Sequence, residues 1–233
     1  MAETKVARRE MKYLLNQCTA SSLKAKIQKV LPIDNYSGSD GYAVRSLYFD
    51  TVYDRDFHDK VDGLEIRHKI RLRIYSAADL VAKLEVKKKQ GSDQWKYSAT
   101  IAREDAELMV QGRYEKVLAK YKSPFIQAVL RQMIMESYIP KTIVEFHRLA
   151  FTEKTNDTRI TFDTSLKASE AGFDLFSPKL HLYAVRYPVI MEVKFNRFLL
   201  SHIKTVLQLA NQLPVATSKY CLGRQIGLRG GPR

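Results

Sequence analysis

The sequence predicts a single α+β domain built on a large antiparallel sheet, and three observations carry that prediction. Residues 66–74 alternate between Arg67, Lys69, Arg71 and Arg73 on one parity and Ile66, Ile70, Leu72 and Ile74 on the other, with His68 breaking the aliphatic row. Side chains alternate across a strand, so this run is a strand with one greasy and one basic face. Phe125, Ile126, Val129, Leu130, Met133 and Ile134 recur with a helical period, which marks a core-facing helix rather than a partner groove. No repeat, linker or low-complexity segment divides the 233 residues, so residues 1–228 are read as one domain and residues 229–233, Arg-Gly-Gly-Pro-Arg, as a disordered tail.

In chain order, Ala7–Leu15 sets Arg8, Glu10 and Lys12 against Met11, Tyr13 and Leu15 and reads as a strand. Thr19 or Ser21 can cap a helix that runs to about Leu31, with Leu23, Ile27, Val30 and Leu31 on one face and Pro32 ending it. Residues 34–41 form a turn-rich loop and 42–50 a strand containing Arg45 and Tyr48; 51–63 is a loop or short helix. Two further strands follow the basic one. Lys83, Glu85, Lys87 and Lys89 oppose Leu84 and Val86, and Lys96 opposes Trp95 and Tyr97. Residues 102–121 and 124–138 read as helices, Pro124 fitting the first helical position. Residues 142–152, 158–163 and 189–196 read as strands, 167–179 as loop, 198–210 as an amphipathic helix, and Ser218–Cys221 as the start of a last short element.

The 45 % hydrophobic content excludes general disorder. No apolar run approaches the roughly 20 residues needed to span a bilayer, and the N-terminus lacks the apolar centre of a signal peptide. Two cysteines, Cys18 and Cys221, without a signal peptide or a CxxC pair fit reduced thiols in a cytoplasmic protein. The formal net charge of +14 calls for an anionic partner: nucleic acid, an anionic membrane or a phosphate-rich molecule.

Charge distribution sharpens this. Eight candidate strands carry Lys or Arg on what can be a shared face, and Glu10, Glu85 and Glu192 are embedded among them. A solvated sheet face is the plainer reading, since one face of an antiparallel sheet commonly meets water; such faces usually mix Thr, Ser, Gln and both charge signs. If about eight strands close into a barrel, the interior holds side chains or one slender ligand. Cations lining it need an anion or internal carboxylates to neutralise them, and a polyphosphate-like chain is the ligand that suits such a space. The five histidines lack metal-site spacing, and no P-loop, dinucleotide or nucleophile-elbow motif occurs. Trp95, Tyr97 and Tyr75 beside basic residues resemble stacking platforms for single-stranded nucleic acid, but Trp95 and Tyr97 sit on the parity opposite Lys96, which favours core packing and disfavours a nucleic-acid partner.

Eight segments in order, Arg8-Arg-Glu-Met-Lys-Tyr-Leu, Arg45-Ser-Leu-Tyr-Phe-Asp-Thr, Lys69-Ile-Arg-Leu-Arg-Ile-Tyr, Leu84-Glu-Val-Lys, Glu145-Phe-His-Arg, Arg159-Ile-Thr-Phe-Asp, Met191-Glu-Val-Lys and Ser218-Lys-Tyr, resemble the motif series of the VTC domain. This is the catalytic domain of the vacuolar transporter chaperone polyphosphate polymerase, in the triphosphate tunnel metalloenzyme superfamily. The resemblance spans residues 8–225. It implies a closed antiparallel β-barrel tunnel of about eight strands with helices outside. It also implies transfer of the γ-phosphoryl of ATP, or another triphosphate, onto inorganic polyphosphate with Mn²⁺ or Mg²⁺. The carried-over phosphate ligands are Lys12, Arg71, Arg73, Lys87, Lys96, Arg148, Arg159 and Lys219, with Lys194, Ser218 and Tyr48 as further polar contacts. Glu192 matches the metal-binding glutamate, and Glu10 and Glu85 are expected to orient neighbouring cations. Where the hydrolytic branch has a first-strand E-x-E-x-K, this chain has Arg8-Arg9-Glu10-Met11-Lys12. The change favours a polymerase-like phosphotransferase over a tripolyphosphatase or nucleoside triphosphatase. A non-catalytic module binding polyphosphate or nucleic acid is the remaining alternative. Coupling to a membrane would come from a membrane-protein subunit.

Overall fold

The computed structural model describes residues 4–5, 9–91, 93–185 and 189–229. Among these residues there are ten strands and seven helices. The strands are β1 (Thr4–Lys5), β2 (Arg9–Leu15), β3 (Tyr42–Thr51), β4 (Ile66–Ile74), β5 (Val81–Gln90), β6 (Asp93–Ala102), β7 (Tyr138–Glu153), β8 (Thr158–Ser169), β9 (Tyr183–Ala184) and β10 (Val189–Phe195). The helices are α1 (Gln17–Ile27), α2 (Arg55–Val61), α3 (Arg103–Val110), α4 (Tyr114–Lys120), α5 (Pro124–Met135), α6 (Ser201–Gln208) and α7 (Lys219–Arg229). They make an α+β fold on one antiparallel sheet of order β1-β6-β5-β4-β3-β7-β8-β10-β2, with β9 on β8.

The expected barrel is not closed. Among the described residues no ladder joins β2 to the β1–β6 edge. One strand's worth of chain serves both edges: residues 4–5 pair with β6 and residues 9–15 with β10. Lys5 and Arg9 lie four residues apart, at most about 14 Å, so the two edges come near each other with no ladder between them among the described residues. The outer edge of β2 instead receives the Val215 N–H, which donates to the Lys12 carbonyl at 2.8 Å.

The alternating strands divide as their parity dictates. On the outer face, Leu47, Ile70, Leu72, Leu84 and Ile101 pack under Met109, Val117, Leu130 and Met133 of α3–α5. Tyr13, Phe151, Ile160, Met191 and Val193 pack under Leu23 and Ile27 of α1 and Ile203 and Leu207 of α6. Ile66, counted in the aliphatic row, is 68 % exposed where β4 runs past its helices.

One helix departs from the expectation that all lie outside. Val44, Val144 and Ile190 are apolar on the concave face, and Tyr220, Cys221 and Leu222 of α7 fill that space. A Cβ on Gly223 would come within 2.9 Å of Val144 Cγ2 and 3.1 Å of Thr142 Oγ1, so glycine lets the helix seat against the sheet. α7 runs through Arg229, the first residue of the expected tail; residues 230–233, like Arg8, lie outside the described residues.

Several boundaries differ for local reasons. Asn16, not Thr19 or Ser21, caps α1, its side chain accepting from the Thr19 N–H at 2.8 Å. The expected helix over 102–121 breaks into α3 and α4 around Gly112 at φ +75°, a conformation glycine adopts without strain. Ser123 caps α5 with Pro124 in its first turn. β8 continues to Ser169, into the expected loop, through Ser165 at φ +52° and a register shift between Glu145 and His147 on β7. Cys18 is exposed, Cys221 buried, and both are free thiols. Among the described residues no helix is long and apolar enough to cross a membrane.

Candidate active site

Basic side chains of seven strands converge on one cavity of about 480 Å³, lined from β2, β3, β4, β5, β6, β7, β8, β10, α2, the segment leading into α7 and Lys219 of α7, while Arg45 of β3 pairs with Glu145 away from it. Cross-strand register aligns the cations in rows, with Lys69 opposite Lys87 and Lys87 opposite Lys96, while Arg71 faces Glu85. Fourteen lysines and arginines line the space against Glu10 and Glu192, with Glu85 and Asp163 buried behind them. These groups sum to +10 of the chain's +14. Most of the formal surplus of positive charge is therefore carried by residues that line or back this cavity. The guanidinium side chains of Arg71 and Arg73 are only 12 % and 10 % exposed.

Two carboxylate hubs hold six of these fourteen cations. Glu85 accepts from Arg71 Nε at 2.8 Å and Nη2 at 2.7 Å, and from Lys96 at 2.5 Å, with Arg73 at 3.4 Å. Burial alone would raise its pKa, but Arg71, Arg73 and Lys96 hold it well below the ordinary carboxylate range. Arg71 also donates to the Tyr48 hydroxyl at 2.9 Å. In the second hub Asp163 takes Arg148 side-on at 2.6 and 2.7 Å, and Lys219 reaches Asp163 at 2.5 Å and Glu192 at 2.7 Å. Lys194 lies 3.1 Å from Glu192 and Arg148 3.8 Å. Against burial, these cations keep both carboxyls depressed. Glu10 sits 3.2 Å from Lys12 and, with Lys194 and Lys87 near, falls to about 2 despite burial.

Other cations lack such partners. Lys87 has no carboxylate within ion-pair distance among the described residues; burial and then Lys194 push its pKa well below the usual lysine value. Arg73 Nε is buried with no hydrogen-bond partner among the described residues. Lys69 donates only to the Ser218 hydroxyl at 3.0 Å, and burial with Lys12, Lys60 and Arg67 nearby lowers its pKa to about 8. A cavity holding such frustrated charges gains free energy from an incoming anion.

All the sequence-predicted positions except Glu85 line this one cavity: Arg159 at its rim, held by Asp34 at 3.1 Å and the Tyr42 hydroxyl at 3.2 Å, and Ser218 and Tyr48 on its walls. Among charged residues outside the expected set, Lys60, Arg67, Lys69, Lys88 and Lys89 also line it, and Asp163 lies buried behind it. Asp163 shares the parity of Arg159 on β8, and Lys69 belongs to the alternating cations of β4, so both had a signal; Lys60 on a short helix had none. Tyr97 stacks on Phe125 of α5, on the helix side of the sheet, while Tyr75 is exposed beside Tyr42. Trp95 is half-buried at the cavity rim.

The donor set does not fit a resident divalent ion. Mg²⁺ and Mn²⁺ need six or so oxygen ligands, yet both Glu192 oxygens face ammonium groups, and among the described residues no group of three or more His, Cys, Asp or Glu is placed to hold a metal. An ion reaching this cavity has to bring most of its oxygens with the phosphates that accompany it.

Beside the cavity His68 joins a buried cluster. Its Nε2 lies 2.5 Å from the Tyr138 hydroxyl and 3.4 Å from Asp56, to which Tyr138 donates at 3.1–3.2 Å. Burial and the neighbouring Asp50 push Asp56 up to about 8. Between about pH 6.5 and 8 the folded state holds a proton on Asp56 that the unfolded chain has lost, so stability falls as pH rises. Above about pH 8 the unfolded chain keeps the Lys69 proton that the folded state releases, so stability rises towards about pH 10. Lys87, Lys60 and Lys96, likewise lowered by burial, add to the rising limb, so in denaturant titrations of ligand-free protein the two limbs are separated by difference from variants. Asp56→Asn should remove the falling limb, and a bound anion the rising one.

A family model described as the VTC domain matches residues 7–227. No match was found among curated proteins. Three solved structures have a similar fold. A putative adenylyl cyclase from Hippeastrum, described as having a dominant triphosphatase activity, is 12 % identical over 93 % of this chain and 94 % of its own, with a TM-score of 0.54. A putative adenylate cyclase from Bacillus halodurans is 14 % identical over 91 % and 96 %, with a TM-score of 0.52. A Pyrococcus horikoshii protein is 13 % identical over 95 % and 99 %, with a TM-score of 0.51.

Proposed function

From the premise that the chain belongs to the VTC domain family, we propose that it is a phosphotransferase that moves the γ-phosphoryl of ATP onto an inorganic polyphosphate chain in the cationic cavity. The single observation that supports this most is the surplus of cations there, with Lys87, Lys69 and the Arg73 Nε left without anionic partners. An array of that kind suits a run of phosphates better than one small anion.

Phosphoryl transfer asks the protein mainly for in-line positioning and neutralisation of charge on the transferring group. Arg73, with a free Nε, supplies directional donors to one phosphate, and Arg71, already braced by Glu85 and Tyr48, stands beside it as a preorganised second fork. Lys12, Lys87, Lys96 and Lys219 act as point charges along the chain, with Arg148, Arg159 and Lys194 extending the array. Asp163 and Glu192 keep Arg148 and Lys219 aimed. The terminal phosphate of the acceptor is already ionised, so no strong general base is required. The reading needs a concave cationic sheet, not hydrogen-bonded closure of the barrel.

A tripolyphosphatase reading has one observation in its favour, the triphosphatase activity attributed to the structurally similar Hippeastrum protein. Incubation with ATP and Mn²⁺, followed by gel separation with polyphosphate staining, distinguishes the two. Polymer together with ADP is expected. Free phosphate without polymer favours the hydrolase, and neither product, with retained polyphosphate binding, leaves a binding module.

A further inference from the structure

Between α6 and α7 the chain crosses one mouth of the cavity, and three consecutive residues there are each held by a lysine from a different element. Lys60 of α2 donates to the Ala216 carbonyl at 3.2 Å, Lys12 of β2 to the Thr217 carbonyl at 3.2 Å, and Lys69 of β4 to the Ser218 hydroxyl at 3.0 Å. The only backbone tie of this crossing to the sheet, among the described residues, is the Val215 N–H to Lys12 carbonyl bond. Val215, Ala216, Thr217 and Ser218 all line the cavity, while residues 211–216 are exposed on their other side. The segment is thus a thin wall between the cationic interior and water, anchored by ammonium groups that also face the interior.

We propose that residues 211–217 form an anion-released strap: a linear phosphate chain entering the cavity takes over the ammonium groups of Lys60 and Lys69, and the strap swings away from the mouth. This rests on the polyphosphate reading of the same cavity and adds how a chain longer than the cavity gains its exit.

The physical preference is clear in direction. An ammonium bound to a neutral carbonyl or hydroxyl makes a weaker contact than the same ammonium on a phosphate oxyanion. Among the described residues Lys60 and Lys69 have no carboxylate within ion-pair distance, and burial and neighbouring cations disfavour their charged forms, so both gain from the exchange. Lys12 is different: Glu10 at 3.2 Å and the nearby Glu192 stabilise its charge, so it serves as the pivot while the other two let go. Ser218 stays with α7, where its side chain meets the Cys221 N–H at 3.5 Å and Lys219 remains on Asp163 and Glu192. Movement is therefore confined to the residues before the helix.

Hydrogen exchange of the full chain, with and without tripolyphosphate and with binding measured separately by calorimetry, tests this. At saturation the amides of residues 215–217, Val215 above all, should exchange roughly tenfold faster, the scale of one lost hydrogen bond, while the amides of β3 and β7 slow or hold. Lys60→Met should speed the same amides in ligand-free protein and shrink the increment on binding. Unchanged or slower exchange at Val215 with tripolyphosphate bound overturns the strap and leaves the functional reading standing, as does a Lys60→Met protein whose Val215 exchange matches the parent. No calorimetric binding of tripolyphosphate or ATP overturns both.

Discussion

Glu85→Gln should destabilise the ligand-free protein by roughly 3–5 kcal/mol, the usual cost of removing one partner from a buried ion-pair cluster. Glu85 is 3 % exposed and is the carboxylate shared by Arg71, Arg73 and Lys96. Glutamine keeps the volume and one acceptor oxygen but leaves three cations repelling one another. Because the Glu85 pKa is held far below its unfolded value, its contribution is fully present above about pH 4.3 and fades only as pH falls towards the folded value. The destabilisation should therefore be flat from pH 5 upward in denaturant titrations. Tripolyphosphate should restore much of the loss, since a ligand that binds only the folded state stabilises it by about 2.7 kcal/mol at a hundredfold excess over Kd. A Glu85→Gln protein as stable as the parent, or one that tripolyphosphate does not rescue, would show that the cluster is not held by this carboxylate in place of a bound anion.

The same residue shows what the sequence made legible. Strand parity alone placed Arg71, Arg73, Lys87 and Lys96 on one face and set Glu85 among them, because a period of two survives any curvature of the sheet. What parity could not supply was whether the sheet closes. Closure depends on which edge each half of the N-terminal segment chooses, and residues 4–5 and 9–15 choose different ones. Parity also failed beyond Asp163, where the bulge at Ser165 moves Ala168 onto the concave face opposite Val144. Without that shift the apolar concave floor is invisible, and so is the reason for α7 to enter it. Asp163 falls on the alternating parity of β8, but its role as the shared partner of Arg148 and Lys219 depends on a helix more than fifty residues later in the chain.

Lys87→Met should do the opposite of Glu85→Gln on stability while sharing its site. Lys87 faces Lys69 and Lys96 across the ladder, has no carboxylate in ion-pair range among the described residues, and is disfavoured in its charged form by burial and by Lys194. Replacing it with an apolar side chain of similar length should raise the stability of the ligand-free protein by about 1–2 kcal/mol, as removal of unfavourably placed functional charges commonly does. The same change should weaken tripolyphosphate binding by roughly 10- to 100-fold, the worth of one charge-assisted hydrogen bond. Lys219→Met, with the same loss of one positive charge, should instead destabilise, because Asp163 and Glu192 both depend on it. Thermal melts and calorimetric titrations of the two variants side by side separate a cavity built for anions from a sheet that is merely basic. On a solvated face both substitutions would be nearly silent in stability. Here, equal charge removal should move stability in opposite directions, since one lysine answers carboxylates and the other waits for phosphate.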